Sequence, residues 1–178
     1  MKIHKLPSPN FSSRDGEQVD MIVIHTASLP AGEFGTGYVL DLFMNRLDLM
    51  AHPSFHELEG LKVSAHYFID RKGKLLELVD PDQTAWHAGV SSFEGRSGCN
   101  AFSIGIELEG TPDHRITERQ YRVLEELCLM LMKRFPLITL ERIVGHSDIA
   151  PSRKMDPGPL FPWGRLREQL RERVKGDA

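Results

Sequence analysis

Two histidines and a run of acids and bases near the end of this chain have the residue types that metal and acid–base chemistry uses. His25 closes the apolar run MIVIH, and His146 follows a second short apolar stretch, RIVG. His146 also opens the segment GHSDIAPSRKMDPGP, whose three prolines and two glycines forbid a single helix or strand. That rigid segment carries Asp148, Arg153, Lys154 and Asp156. Imidazole and carboxylate ligands drawn from distant parts of a chain suit a catalytic zinc, which takes three protein ligands and leaves a fourth position for water. The short knuckles of a zinc finger have no counterpart here. Spacing alone leaves alternatives open. His25 also fits a hydrogen-bonded histidine at a strand end, and Asp148 competes with Asp156 as third ligand or else caps the turn after His146.

A second group of candidates lies in FSIGIELEG, residues 102–110. Strand alternation puts Glu107 and Glu109 on one face with Gly105 and Ser103, and Phe102, Ile104, Ile106 and Leu108 on the other. Glu107 facing a cleft would serve acid–base chemistry; a solvated edge-strand carboxylate is the competing assignment. His66 in KVSAHYFID shares a face with Ser64 and Phe68, where it could line a groove or be held by sheet hydrogen bonds. His52 and His56 are spaced as on one helix face, but Pro53 intervenes and no metalloprotease pattern is completed, so both are expected at the surface.

These residues need a scaffold. MIVIH reads as a buried strand, and the breaker-rich TASLPAGEFGTG ends it. A helical pattern runs from about Tyr38 to Leu47. KVSAHYFID and KLLELVD flank Arg71-Lys72-Gly73 as a hairpin. WHAGVSSFEGRSGCN is a long loop, and long loops in compact domains are more often functional than accidental. Thr117 and Gln120 form a capping-box signature ahead of Tyr121, Leu124, Leu127, Cys128, Leu131 and Phe135 at helical spacing. Arg142 to Gly145 is a last short strand, and Trp163 to Val174 a C-terminal helix. Strands and helices therefore interleave, predicting an α/β (α+β) fold with a mixed central β-sheet flanked by helices.

With 178 residues, 40% of them apolar, the chain has length and hydrophobicity for one sizeable core without help from disulfides or metal. One domain over 1–178 is expected, with an irregular N-terminal segment (1–19) and a catalytic core (20–175). A net charge of -3 and the lack of a basic patch interleaved with aromatics argue against nucleic acid. No stretch has the length and apolarity of a membrane span. Two cysteines without metal spacing, and an N-terminus without a signal-type apolar run, point to the cytoplasm.

Taken in order, MIVIHTASLPAGEFG, VSAHYFI, AWHAGVSSFEGR, CNAFSIGIELEGT, TERQY, GHSDIAPSRKMDPGP and FPW resemble the zinc-dependent N-acetylmuramyl-L-alanine amidases. The likeness covers roughly residues 5–170 and lies nearest the cytoplasmic AmpD type, which acts on anhydro-muropeptides in cell-wall recycling. It implies the amidase and peptidoglycan-recognition-protein fold and a Zn2+ cofactor held by His25, His146 and Asp156. It further implies Glu107 as the catalytic acidic residue, Lys154 as the cation that offsets negative charge in the transition state, and a small muropeptide as substrate. Trp86 and His87 would line the groove, with Arg96, Asn100 and Lys62 as substrate contacts. Three positions depart from the AmpD pattern: Thr26 replaces an asparagine, Gly98 an arginine and Lys62 an arginine. They bear on selectivity for the anhydro sugar. A lytic amidase acting on polymeric cell wall would share this chemistry, whereas a non-catalytic peptidoglycan-binding module would have lost a ligand.

Overall fold

Residues 1–176 are described by the computed structural model. In chain order the strands are β1 (Ile3–Lys5), β2 (Phe11–Ser12), β3 (Met21–Ala27), β4 (Tyr67–Ile69), β5 (Leu75–Glu77), β6 (Thr84–Ala85), β7 (Ser92–Phe93), β8 (Arg96–Ser97), β9 (Ser103–Glu109) and β10 (Ile143–Gly145). The helices are α1 (Tyr38–Phe43), α2 (Glu118–Arg134), α3 (His146–Ile149) and α4 (Trp163–Gly176). A six-stranded sheet has the order β1-β5-β4-β9-β3-β10. Every pairing in it is parallel except β4 with β5, which form the expected antiparallel hairpin. This is a mixed sheet.

The two longest strands, β3 and β9, lie side by side at its centre and are buried on both faces, as near-continuous apolar runs should be. One face carries Ile22, Ile24, Ile104, Ile106 and Leu108 against Leu124, Leu127, Leu131, Leu166 and Leu170 of α2 and α4. The other face has two apolar clusters. Met21, Val23 and Val144 pack on Ala88, Cys99, Phe102 and Ile149, and Phe68 and Leu76 pack on Val39 and Phe43 of α1. Side chains that break this second apolar surface mark the site.

Local chemistry explains the element ends. Thr117 accepts the N–H of Gln120 while the Gln120 side chain accepts the N–H of Thr117, closing the capping box at the start of α2. Helix α1 is shorter than its apolar spacing suggests, because Asn45 adopts a positive φ of 56° just past it. The assignment of residues 1–19 as irregular also needs correction. Ile3–Lys5 adds a parallel edge strand alongside β5, and Phe11–Ser12 pairs with Thr84–Ala85. Both strands are too short for alternation to reveal them. Among the described residues, no helix is long and apolar enough to cross a membrane.

Candidate metal centre

Strand register sets the geometry of the site. His25 of β3 is the direct partner of Glu107 on β9, and Glu107 is in turn the partner of Phe68 on β4. On the far side of β3, Gly145 of β10 pairs with Ile24, so His146 enters α3 next to His25. Asp156 arrives from the proline-rich loop, which is tied back by the Ser147 N–H donating to the Asp156 carbonyl at 2.9 Å. Gly158 is required there. Its φ is +90°, and a Cβ would fall 2.1 Å from the Pro112 carbonyl oxygen.

Three ligand-type atoms converge. His25 Nδ1 lies 2.9 Å from His146 Nδ1 and 3.2 Å from Asp156 Oδ2, and His146 Nδ1 lies 3.3 Å from the same oxygen. A tetrahedral ion with ligand bonds of about 2.0–2.1 Å needs its ligand atoms roughly 3.3 Å apart. The proton inventory agrees. His146 Nε2 is 3.1 Å from the Ala88 carbonyl, an acceptor only, so that nitrogen carries the proton and Nδ1 keeps a lone pair. The Ser103 hydroxyl donates to the Cys99 carbonyl and therefore accepts from His87 Nε2–H at 3.2 Å. His87 Nδ1 is then the acceptor for His25 Nε2–H at 2.9 Å, which leaves His25 Nδ1 bare as well. Two lone pairs and a carboxylate oxygen face one another, an arrangement that a cation stabilises. These three residues can hold a metal ion, and they are the one such group among the described residues.

The site is nearly dry. His25 is 2% exposed, His146 4% and Glu107 7%. Burial lowers the pKa of His25, keeping the neutral imidazole that metals bind. Burial also raises Glu107 well above the ordinary carboxylate range; the nearby Asp156 adds to this and Lys154 opposes it. Burial pushes Asp156 upward too, but the adjacent His146 and His25 outweigh it and hold the carboxyl well below its usual value. A cavity of about 280 Å3 opens over these groups, lined also by Lys154, Trp86, His87, Thr26 and the apolar Leu29, Val39, Leu58 and Leu61. A larger cavity of about 660 Å3 lies elsewhere, between residues 13–19 and 134–137, and neither histidine nor Asp156 lines it.

Glu107 is thus a central-strand carboxylate facing a cleft, and the edge-strand assignment falls. Asp148 does not join the metal group; its Oδ2 accepts the Gly145 N–H at 2.7 Å, so it caps the turn. His66 is a hydrogen-bonded sheet histidine, its Nδ1 accepting the Gly105 N–H at 2.9 Å. His52 accepts the Ser54 N–H at the start of a 3₁₀ turn, and His56 is exposed.

The remaining predicted contacts are placed differently. Arg96 points away from the cavity: it pairs with Asp20 and Glu17, and its guanidinium sits 3.7 Å from the Phe102 ring centre. Asn100 turns its side chain inward, where Oδ1 accepts the N–H groups of His87 and Ala88. Lys62 lines a small neighbouring cavity that shares Leu58 and Leu61 with the metal-site cavity. Trp86 lines the metal cavity and donates from Nε1 to Ser12 at 3.2 Å. Arg153, to which the sequence assigns no role beyond its place in the rigid segment, donates from its guanidinium to the carbonyls of Ala88 and Val90 behind His146.

A three-ligand centre with a buried carboxylate beside it, set at the ends of parallel strands, is the arrangement of a metal-dependent hydrolase. Residues 15–159 match the model of the N-acetylmuramoyl-L-alanine amidase family, and the chain belongs to that family. It is 49% identical over 168 residues to the 1,6-anhydro-N-acetylmuramyl-L-alanine amidase AmpD of Haemophilus influenzae, covering 94% of this chain and 91% of that protein. The crystal structure of a selenomethionine AmpD derivative superposes with a TM-score of 0.90 at 46% identity, covering 93% of each chain. The Escherichia coli amidase AmiD, solved with anhydro-N-acetylmuramic acid-L-Ala-D-γ-Glu-L-Lys, gives 0.64 at 30% identity over 89% of this chain and 58% of that one.

Proposed function

We propose that this chain hydrolyses the amide bond between the lactyl group of 1,6-anhydro-N-acetylmuramic acid and L-alanine, using Zn2+ held by His25, His146 and Asp156. The observation that carries the proposal is the convergence of two deprotonated imidazole nitrogens and one carboxylate oxygen beside Glu107. Zinc supplies a Lewis acid for the amide carbonyl and lowers the pKa of water toward neutrality when bound.

The protein's own groups do the rest. Burial raises the pKa of Glu107 and so makes its carboxylate a stronger base. In the ionised form it takes a proton from the attacking water and, once protonated, delivers that proton to the departing alanine nitrogen. The Lys154 ammonium lines the same cavity and offsets the charge that develops on the tetrahedral oxygen. Trp86 offers an apolar face to the sugar ring, and Leu29, Val39, Leu58 and Leu61 displace water from the reacting bond. The named activity of the Haemophilus relative and the anhydro-sugar ligand of the AmiD structure support the anhydro-muropeptide as substrate. A cytoplasmic location is part of the proposal, and two free buried thiols, Cys99 and Cys128, accord with a reducing compartment.

Equal amounts of anhydro-muramyl and reducing muramyl tripeptide, incubated with the protein and followed by mass spectrometry, test this directly. Faster peptide release from the anhydro sugar, abolished by chelation and restored by zinc, is expected. Preference for the reducing sugar would move the chain to lytic chemistry, and no cleavage of either by zinc-loaded protein would leave a binding module.

A further inference from the structure

The two histidines of the metal centre share one backing. His25 Nε2 meets His87 Nδ1 at 2.9 Å, and His146 Nε2 meets the carbonyl of Ala88, the next residue, at 3.1 Å. The backbone of this pair is pinned by a single atom. Asn100 Oδ1 accepts the N–H of His87 at 3.0 Å and the N–H of Ala88 at 2.7 Å. Asn100 is held in its turn, since Arg14 donates to the carbonyls of Asn100 and Ala101. On the preceding side, Trp86 N–H donates to Ser64 Oγ at 2.9 Å, and the Ser64 N–H donates to the Trp86 carbonyl at 3.0 Å. The His87 ring fills space that only a glycine at 105 leaves open, because a Cβ there would lie 2.4 Å from His87 Cγ.

We infer that Asn100 and His87 are positioning residues of the metal centre. Asn100 fixes the backbone of residues 87 and 88, and that short segment sets both the tautomer and the ring orientation of the two imidazoles. His87 acts on His25 through its side chain, and Ala88 acts on His146 through its carbonyl. The inference rests on the assignment of His25, His146 and Asp156 as ligands. It also explains why Asn100 faces inward, away from the cavity.

Outer hydrogen bonds of this kind are worth about 10–100-fold in metal affinity. Three variants of the full chain isolate the effect. Asn100→Ala removes the acceptor, Asn100→Asp keeps an oxygen in its place, and His87→Leu removes the acceptor for His25 without touching the loop backbone. The zinc dissociation constant by chelator competition, the visible absorption of the cobalt(II) form and the melting temperature of metal-free protein are measured for each. Asn100→Ala and His87→Leu should bind zinc about 10–100-fold more weakly and alter the cobalt spectrum, with Asn100→Asp restoring both. Wild-type affinity and an unaltered cobalt spectrum in folded Asn100→Ala and His87→Leu would overturn the inference, as would an Asn100→Asp variant no better than Asn100→Ala. If Asn100→Ala fails to fold, His87→Leu decides by the same criteria. Failure of the wild-type chain to bind zinc is a different result, and it would overturn the ligand assignment itself.

Discussion

Glu107 is the register partner of His25 across the parallel β3–β9 ladder, so a buried carboxylate and a candidate ligand imidazole stand side by side on adjacent strands. Neighbouring strands lie about 4.8 Å apart, which brings the two groups to one reacting centre without making Glu107 a ligand. Glu107→Gln should therefore retain zinc while turnover falls about 10²–10⁴-fold, the usual range for a general acid–base group. Zinc content by atomic absorption and peptide release by chromatography check this. Loss of zinc with activity would recast Glu107 as a ligand.

Asp156 and Asp148 separate cleanly by contact. Asp156 offers Oδ2 to both histidines, whereas Asp148 spends its carboxylate on the Gly145 N–H. Asp156→Ala should abolish both bound zinc and turnover. Asp148→Ala removes a turn cap, costing about 1 kcal/mol of stability, and leaves zinc stoichiometry intact. Equilibrium dialysis against zinc decides, and metal loss in the Asp148 variant alone would reverse the assignment.

Gly105 and His87 are coupled by space. A methyl group at position 105 would fall within 2.4 Å of the His87 ring, so Gly105→Ala forces that ring off His25. Overpacking of this type typically costs about 1–3 kcal/mol. The melting temperature should drop, and pairing Gly105→Ala with His87→Ala should recover part of the loss. A double variant that simply adds the two single effects would show that the clash is relieved elsewhere.

His66 predicts how stability depends on acid. Burial, with the Arg14 charge added, lowers its pKa from 6.5 to about 3 in the folded chain. The unfolded chain binds a proton near pH 6.5 that the folded chain refuses until about pH 3, so this group's contribution is complete above pH 6.5 and is lost as the pH falls toward 3. One group of this kind changes stability by at most about 1.4 kcal/mol per pH unit. Denaturant unfolding between pH 4 and 7 should show a shallower slope for His66→Asn than for wild type, even though the variant is less stable throughout. Equal slopes would assign the acid sensitivity to other buried histidines.

Much of this architecture can be read from the chain because the relevant signals are local. The Thr117–Gln120 capping box, the unbroken apolar runs of β3 and β9 and the proline-rich loop after His146 are all set by residues close in sequence. What stays hidden depends on partners far apart. Nothing in FSIGIELEG distinguishes an edge strand from one flanked by β4 and β3, and that difference decides whether Glu107 faces bulk water or a dry cleft. Asn100 reads as a substrate contact until its two N–H donors are placed, twelve and thirteen residues earlier. Arg96 likewise sits in a glycine-rich loop that suggests substrate, but its carboxylate partners lie 76 and 79 residues away.

The parallel ladders have a consequence for the order of events in folding. His25 meets His146 across 121 residues and Asp156 across 131. No hairpin can join β3, β9 and β10, because parallel neighbours need crossover connections. The local β4–β5 hairpin and helix α2 can form while the chain is still largely open, but closing such long loops carries an entropic cost that only the assembled sheet offsets. The metal-binding centre is therefore completed late, when all three strands are in register. A cation bound there would stabilise only the finished chain, so metal occupancy becomes a measure of whether folding has reached its end.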